Sequence, residues 1–251
     1  MKVIRKIFII FGWLSLAGFV GFTIYFAYAQ KAAVRCKAIV VNISAGSPRF
    51  MDEQEISELI EKSEEPTIGH QLSAINIDKL ETKLNTLTTL KDVEIYRKIE
   101  NSGWSFSGKL IVNVGQRTPV LRVKTANEDY YLDYQGTEIP VSSKYIERML
   151  IASGSFPDET VKSNLLKMTE WINQDEFWKA QIEQIFIQAN GELLLIPQVG
   201  DYIIEFGKPE DYEVKFRNLK AVYQQGFKNL GWNQYKAISV KYQNQVVCTK
   251  K

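Results

Sequence analysis

One histidine, His70, stands among 251 residues. That scarcity excludes any metal centre built from several imidazoles and leaves one candidate for a histidine-based proton relay. His70 falls in Thr67-Ile68-Gly69-His70-Gln71, a loop pattern with no nucleophile motif beside it, and reads as a solvated loop residue. GxSxG, HExxH and P-loop patterns are absent. The expectation is therefore no catalytic, cofactor-binding or metal-ligating residue, no cofactor, and no enzyme. Runs of Lys and Arg are missing too, and a net charge of +2 makes no case for nucleic acid. Cysteine is scarce: Cys36 and Cys248 lie at opposite ends of the folded part. An oxidising compartment would allow them to pair, but sequence does not give their separation. Repeats and low-complexity tracts are lacking as well.

Charge is missing from one long stretch. Residues 7–29 run 23 positions without an ionisable Asp, Glu, Lys or Arg, behind Lys2, Arg5 and Lys6. At 1.5 Å per residue such a helix crosses a hydrocarbon core of about 30 Å. The run exceeds the apolar region of a cleaved secretory signal, so it reads as a retained anchor, although Ala27-Tyr28-Ala29 has the small-x-small form of a cleavage site. Tyr25, Phe26 and Tyr28 cluster at its far end, the depth that amphipathic rings favour. Lys31, Arg35 and Lys37 nearly balance the basic residues before the run. A short tail is easily left inside, so the expected orientation is tail in the cytoplasm and domain outside.

The chain has the composition of globular protein, 45% hydrophobic and 24% charged over its whole length. Residues 36–44 are rich in β-branched side chains and stop at Gly46-Ser47-Pro48, which predicts a strand. Asp52 with Glu55 is a capping-box pattern ahead of Ile56, Leu59 and Ile60 at helical spacing. Asn76 caps a second amphipathic helix carrying Ile77, Leu80, Leu84 and Leu87. Alternation through Val93–Ile99 and Leu110–Val114, with Asn101-Ser102-Gly103 between, predicts a hairpin. Strand, helix, helix, strand, strand makes a small domain with two helices on one sheet face. Gln116-Arg117-Thr118-Pro119 breaks that pattern, and the domain junction is expected there.

The second half reads as α+β, mostly strand. Short strands fall at 120–123, 130–133 and 139–140, with Gln135-Gly136 turning the chain. A helix is expected over 158–172, then strands at 182–188, 192–196 and 202–206. Asn190-Gly191 is a strong hairpin signal, and Gly200-Asp201 makes the next turn. Tyr212, Phe216, Leu219, Tyr223, Phe227 and Leu230 form a helical stripe that reads as core rather than as a cofactor box. Glu205, Glu210 and Asp211 are explained by capping and by the helix dipole. Residues 237–248 read as a terminal strand at a sheet edge.

Taken in order, these features resemble the FtsQ/DivIB family of bacterial division proteins over nearly the whole chain. A family Gly-x-Leu pattern is loosely matched by Gly69 and Leu72. The Glu-Arg-x-Pro joint appears as Gln116-Arg117-Thr118-Pro119, with Gln in place of Glu. An apolar stretch followed by Asp and Gly appears as Tyr131-Leu132-Asp133-Tyr134-Gln135-Gly136, and a late Gly and Lys as Gly207 and Lys215. The resemblance implies a cytoplasmic tail over 1–6, a transmembrane helix over 7–29, a POTRA domain over 36–116 and an FtsQ-type β domain over 117–251. It implies a non-enzymatic divisome scaffold in the cytoplasmic membrane at the septum, with its bulk in the periplasm. Expected partners are FtsB-like and FtsL-like single-span proteins linked to the septal peptidoglycan synthase complex, docked by strand addition at the C-terminal sheet edge. Lys241 and Tyr242 match a basic residue and a Tyr on the family's partner-binding strand. Val246, Trp232 and Tyr235 are added as neighbours with interface chemistry. Two other readings stay open: a POTRA-bearing transport or secretion component, and an anchored wall-modifying enzyme.

Overall fold

The computed structural model describes residues 2–32, 34–102, 105–145, 147–156, 159–227, 231–242 and 245–251. Helix α1 (Lys2–Ala32) is continuous. From Ile10 to Tyr28 its described large apolar side chains are each at least 46% exposed. Among the described residues no helix is long and apolar enough to cross a membrane. The expected span also includes the side chains of 7–9 and 27, which lie outside the described residues.

Packing divides the chain into two compact units: residues 1–47 with 51–116, and residues 48–50 with 117–251. In the first, β1 (Cys36–Ile43) leads to α2 (Glu53–Glu61), a 3₁₀ turn (Leu72–Ala74), α3 (Ile77–Asn85), β2 (Leu90–Ser102) and β3 (Ser105–Gln116). The caps agree with the sequence pattern. Asp52 and Glu55 form a complete capping box, and Asn76 accepts from the Lys79 N–H. The sheet order is β1-β3-β2, with β1 parallel to β3 and β2 antiparallel to it. Ile56 and Ile60 of α2 and Leu80 and Leu84 of α3 close one face over Ile95, Leu110, Val112 and Val114. Burying each such side chain is worth about 1.5–3 kcal/mol. Gly103, placed in the hairpin turn by the sequence pattern, lies outside the described residues.

The second unit holds, among the described residues, a nine-stranded mixed sheet. Its strands are β4 (Leu121–Lys124), β5 (Asp129–Leu132), β6 (Glu138–Pro140), β7 (Ile151–Gly154), β8 (Ile182–Ile187), β9 (Leu193–Pro197), β10 (Ile203–Gly207), β11 (Tyr235–Ser239) and β12 (Val247–Lys250). The order across the sheet is β12-β11-β10-β9-β8-β7-β4-β5-β6. Three neighbouring pairs are parallel: β4 with β7, β7 with β8, and β10 with β11. A parallel pair cannot be closed by a tight turn, so long crossovers carry the helices. Helices α4 (Glu159–Gln174) and α5 (Glu176–Gln181) link β7 to β8, and α6 (Tyr212–Ala221) links β10 to β11. Strand β7 and helix α5 have no counterpart among the elements expected from sequence, because both are too short for periodicity to register. Asp175 caps α5 by accepting from the Phe177 and Trp178 N–H groups.

The helical stripe is core, as its spacing predicts. Phe216 and Leu219 are fully buried, and Phe216 stacks on Trp171 at 5.0 Å and meets Trp178 at 4.8 Å. The helix continues past α6 as a π-helical turn, Val222–Gly226, which keeps Tyr223 and Phe227 on the sheet side. Leu230 lies outside the described residues. Asp211 precedes α6 with φ of 53° and makes no capping bond, so capping does not account for it.

The family-like motifs meet in space. Gln116 is fully buried; its amide oxygen accepts from the Met51 N–H (3.0 Å) and its amide nitrogen donates to the Met51 carbonyl (2.7 Å). A glutamate could accept there but not donate, which accounts physically for Gln at this position. Arg117 pairs with Asp133 at 3.0 Å, and the other Asp133 oxygen accepts from the N–H groups of Gln135 (2.9 Å) and Thr137 (2.8 Å). One carboxylate thus ties the start of the unit to the Gln135-Gly136 turn. Asp133→Ala is expected to cost about 2–3 kcal/mol, since it leaves Arg117 half-buried without its charge partner and frees two turn donors. Urea unfolding of the full chain, tracked by tryptophan fluorescence, reads this as a lower midpoint; an unchanged midpoint refutes the role.

Candidate functional site

The sheet's last two strands build the site. β11 lies between β10 and β12, paired on both sides. Among the described residues β12 is therefore an open edge of the sheet; the strand expected over 237–248 divides into enclosed β11 and the start of β12. Tyr235, Ala237, Ile238 and Ser239 face Lys250, Thr249, Cys248 and Val247 across the β11–β12 pair, with a bulge between Tyr235 and Ala237. All four β12 side chains are exposed. An edge strand carries one unpaired row of N–H and C=O groups, a template for another strand. The Lys251 N–H donates to the Gln234 carbonyl (3.1 Å), so the pairing holds to the last residue.

Of the five residues expected from sequence, the structure brings two to the surface together. Tyr242, 51% exposed, comes after half-buried Lys241 in the connection between β11 and β12. The Lys241 ammonium stands 5.4 Å from the Tyr242 ring centroid and 3.9 Å from Glu192. A ring held under a cation is partly oriented before any partner arrives. Val246 packs against the core with part of its surface open. Tyr235 is buried, its ring 6.0 Å from Phe227, and so serves the core rather than a free surface. The Trp232 side chain lies outside the described residues, as do residues 243 and 244 of the connection.

Two contributors do not read as site residues from the sequence, although Gly207 stands among the family-like matches. Gly207 has φ of +74°, and a Cβ added there would stand 2.7 Å from Lys241 Cβ. The glycine lets the chain carrying Lys241 and Tyr242 lie directly on β10. Residues 214–251 hold eight Lys or Arg and no Asp or Glu, so the rest of the chain is net acidic. Counting charge by segment, not over the chain, finds that signal. Lys215, in the same stretch, donates to the Lys208 carbonyl (2.6 Å) with its ammonium 5.1 Å from the Phe206 ring. Burial pulls its pKa below the usual lysine range, and Glu210 and Asp211 oppose that shift. Next to β12 a groove of about 380 Å³ is lined by Val222, Tyr235 and Val246 together with the polar residues Asn218, Gln225 and Gln245.

Cys248 lies exposed on β12 and Cys36 is buried in the first unit; both thiols are free. His70 sits on an exposed loop, its Nδ1 3.3 Å from the Ile68 carbonyl oxygen. Among the described residues no group of three His, Cys, Asp or Glu is placed to hold a metal.

The family description "FtsQ/DivIB, C-terminal related" matches residues 118–249, more than half of the chain. The chain belongs to the FtsQ/DivIB family. A POTRA-like domain matches residues 34–102, within the three-stranded first unit. No curated protein matches the chain. FtsQ/DivIB proteins form a non-enzymatic division scaffold family. Within this FtsQ/DivIB member, the Gly207 contact makes a direct prediction. Gly207→Ala is expected to cost about 1–3 kcal/mol through the left-handed backbone alone. It also displaces Lys241, so the Tyr242 ring loses its cation; a Tyr242-centred fluorescence or NMR signal that stays fixed in the folded variant contradicts the contact.

Proposed function

We propose that this protein is a membrane-anchored divisome scaffold that captures a strand from an FtsB-like or FtsL-like single-span partner on β12. One observation carries the reading: among the described residues β12 ends the sheet with an unpaired edge and exposed side chains, and Tyr242 stands beside Lys241 in the connection before it. Strand addition draws affinity from main-chain hydrogen bonds and specificity from neighbouring side chains. The acid-free C-terminal stretch favours a partner segment carrying Asp or Glu, since complementary charge steers encounter and fixes register. The groove beside Val246 and Cys248 is suited to an apolar side chain of that segment.

The membrane reading rests on α1 and on family membership. A helix with apolar side chains exposed on every side has no stable place in water. On this reading α1 spans the cytoplasmic membrane, residues 1–6 stay in the cytoplasm, and both units lie in the periplasm at the septum, relaying partner binding to the septal wall synthase complex. On this reading the scaffold performs no chemistry of its own, in keeping with a non-enzymatic division scaffold family.

Removing residues 247–251 is expected to abolish recovery of single-span division partners when the full-length protein is isolated from gently solubilised membranes. Tyr242→Ala is expected to reduce recovery by about tenfold or more, the scale of an interface hot spot. Undiminished recovery by both variants, with circular dichroism unchanged, refutes docking on β12.

A further inference from the structure

We propose that the end of the β2–β3 ribbon in the first unit is a second membrane contact, seating Ile99 and Phe106 in the headgroup layer of the bilayer that holds α1. The proposal rests on the reading of α1 as an anchor.

Few residues separate α1 from the core of the first unit. α1 ends at Ala32, and Val34 is already buried at 4%. The Val34 carbonyl accepts from the Leu72 N–H (2.9 Å) and the Arg35 carbonyl from the Gly108 N–H (3.0 Å). The Cys36 N–H donates to the His70 carbonyl (2.9 Å), and the Cys36 carbonyl accepts from the Gly69 N–H (2.8 Å). Three consecutive residues are thus fastened to the domain immediately after the helix.

Strand register then locates the ribbon. β1 runs parallel to β3, and its first pair is Cys36 with Gly108. On the far side of that pair β2 and β3 continue alone, through Glu100 with Ser107 and Asn101 with Phe106. Because β1 and β3 are parallel, this extension points back along the path by which the chain arrives from α1. Ser105 lies three residues, about 10 Å of strand, beyond Gly108, and Ala32 lies four residues, at most about 14 Å of chain, before Cys36. The described ribbon therefore reaches back toward the last turn of α1.

Its surface suits that position. Outside α1, the exposed large apolar side chains described in the first unit are Ile68, Tyr96, Ile99 and Phe106. Three of these four stand at the α1 end: Ile99 pairs with Gly108, Phe106 lies two residues from it, and Ile68 adjoins Gly69, which Arg35 also grips through its guanidinium (2.7 Å). Arg35 and Lys37 are exposed there, and Lys98 and Lys109 flank Glu100 at 3.5 and 2.7 Å. Apolar rings and aliphatic groups rimmed by basic side chains match the interfacial layer, where both find favourable partners.

The test uses the full-length chain in nanodiscs of phosphatidylcholine and phosphatidylglycerol, with Cys248→Ser and the buried Cys36 retained. A fluorophore is placed in turn at Asn101→Cys, at Phe106→Cys, at Glu53→Cys on α2, and at Leu16→Cys within α1. Asn101 is exposed, so labelling it leaves the packing intact even where the Phe106 variant folds poorly. Headgroup-nitroxide lipids are expected to quench positions 101 and 106 about threefold more than position 53, and mid-chain nitroxides to quench position 16. Equal quenching at 101, 106 and 53, with position 16 quenched, overturns the ribbon contact and leaves the anchor standing. Failure at position 16 as well overturns the anchor and the contact with it.

Discussion

The parallel pairing of β10 with β11 governs the functional end of this molecule. Ile203, Ile204 and Glu205 pair with Ala237, Ile238 and Ser239, and such a pair needs a long crossover on one face of the sheet. That crossover is α6 and its π-helical continuation, which bring Phe216, Leu219 and Phe227 onto the sheet beside Trp178 and Phe206. With β11 held from one side by β10, the chain has one place left to go. It turns through Lys241 and Tyr242 and returns as β12 on the outside. The open edge is thus a consequence of the core beneath it.

That edge is guarded as well as offered. Lysines on an exposed strand discourage a second copy from pairing with it, because like charges would meet across the new ladder. Lys250 on β12 supplies that charge, with Lys236 on β11, while Lys241 and Lys251 are paired with Glu192 (3.9 Å) and Asp201 (3.4 Å). On the proposed docking, the same charge would favour an acidic segment, so protection against self-association and selection of a partner would have one physical origin. Gly207 adds precision by letting Lys241 lie on β10 without an intervening Cβ.

The two ends of the chain solve the problem of exposed apolar surface differently. In the second unit most apolar residues gather in one core, although Tyr134, Phe186, Val199, Ile203, Tyr242 and Val247 stay exposed. In the first unit, cover by α2 and α3 stops short of Ile99 and Phe106, because β2 and β3 run on past the third strand. Two strands alone do not bury a face, which leaves Ile99 and Phe106 exposed.

Much was legible in the sequence wherever the cause is local. Asp52 with Glu55 and Asn76 marked helix starts because a side chain satisfies backbone donors a few residues away. Asn190-Gly191 marked its turn because Gly191 takes φ of +78°. The stripe through Phe216 and Leu219 marked a buried helix face because 3.6-residue spacing is a property of the helix itself. The sequence could not place β7 or α5, nor show that β11 is enclosed while β12 is free. It also could not separate Tyr235, which joins the core, from Tyr242, which faces solvent, though both flank the same short strand. Those distinctions depend on which strand lies beside which. Arg117 meets Asp133, and Gly207 meets Lys241, only after the chain has closed loops of many residues. Periodicity, caps and turn residues act within a few positions of themselves and were determined by the sequence alone; strand neighbours are chosen by packing across the whole unit, and only the tertiary structure decided them.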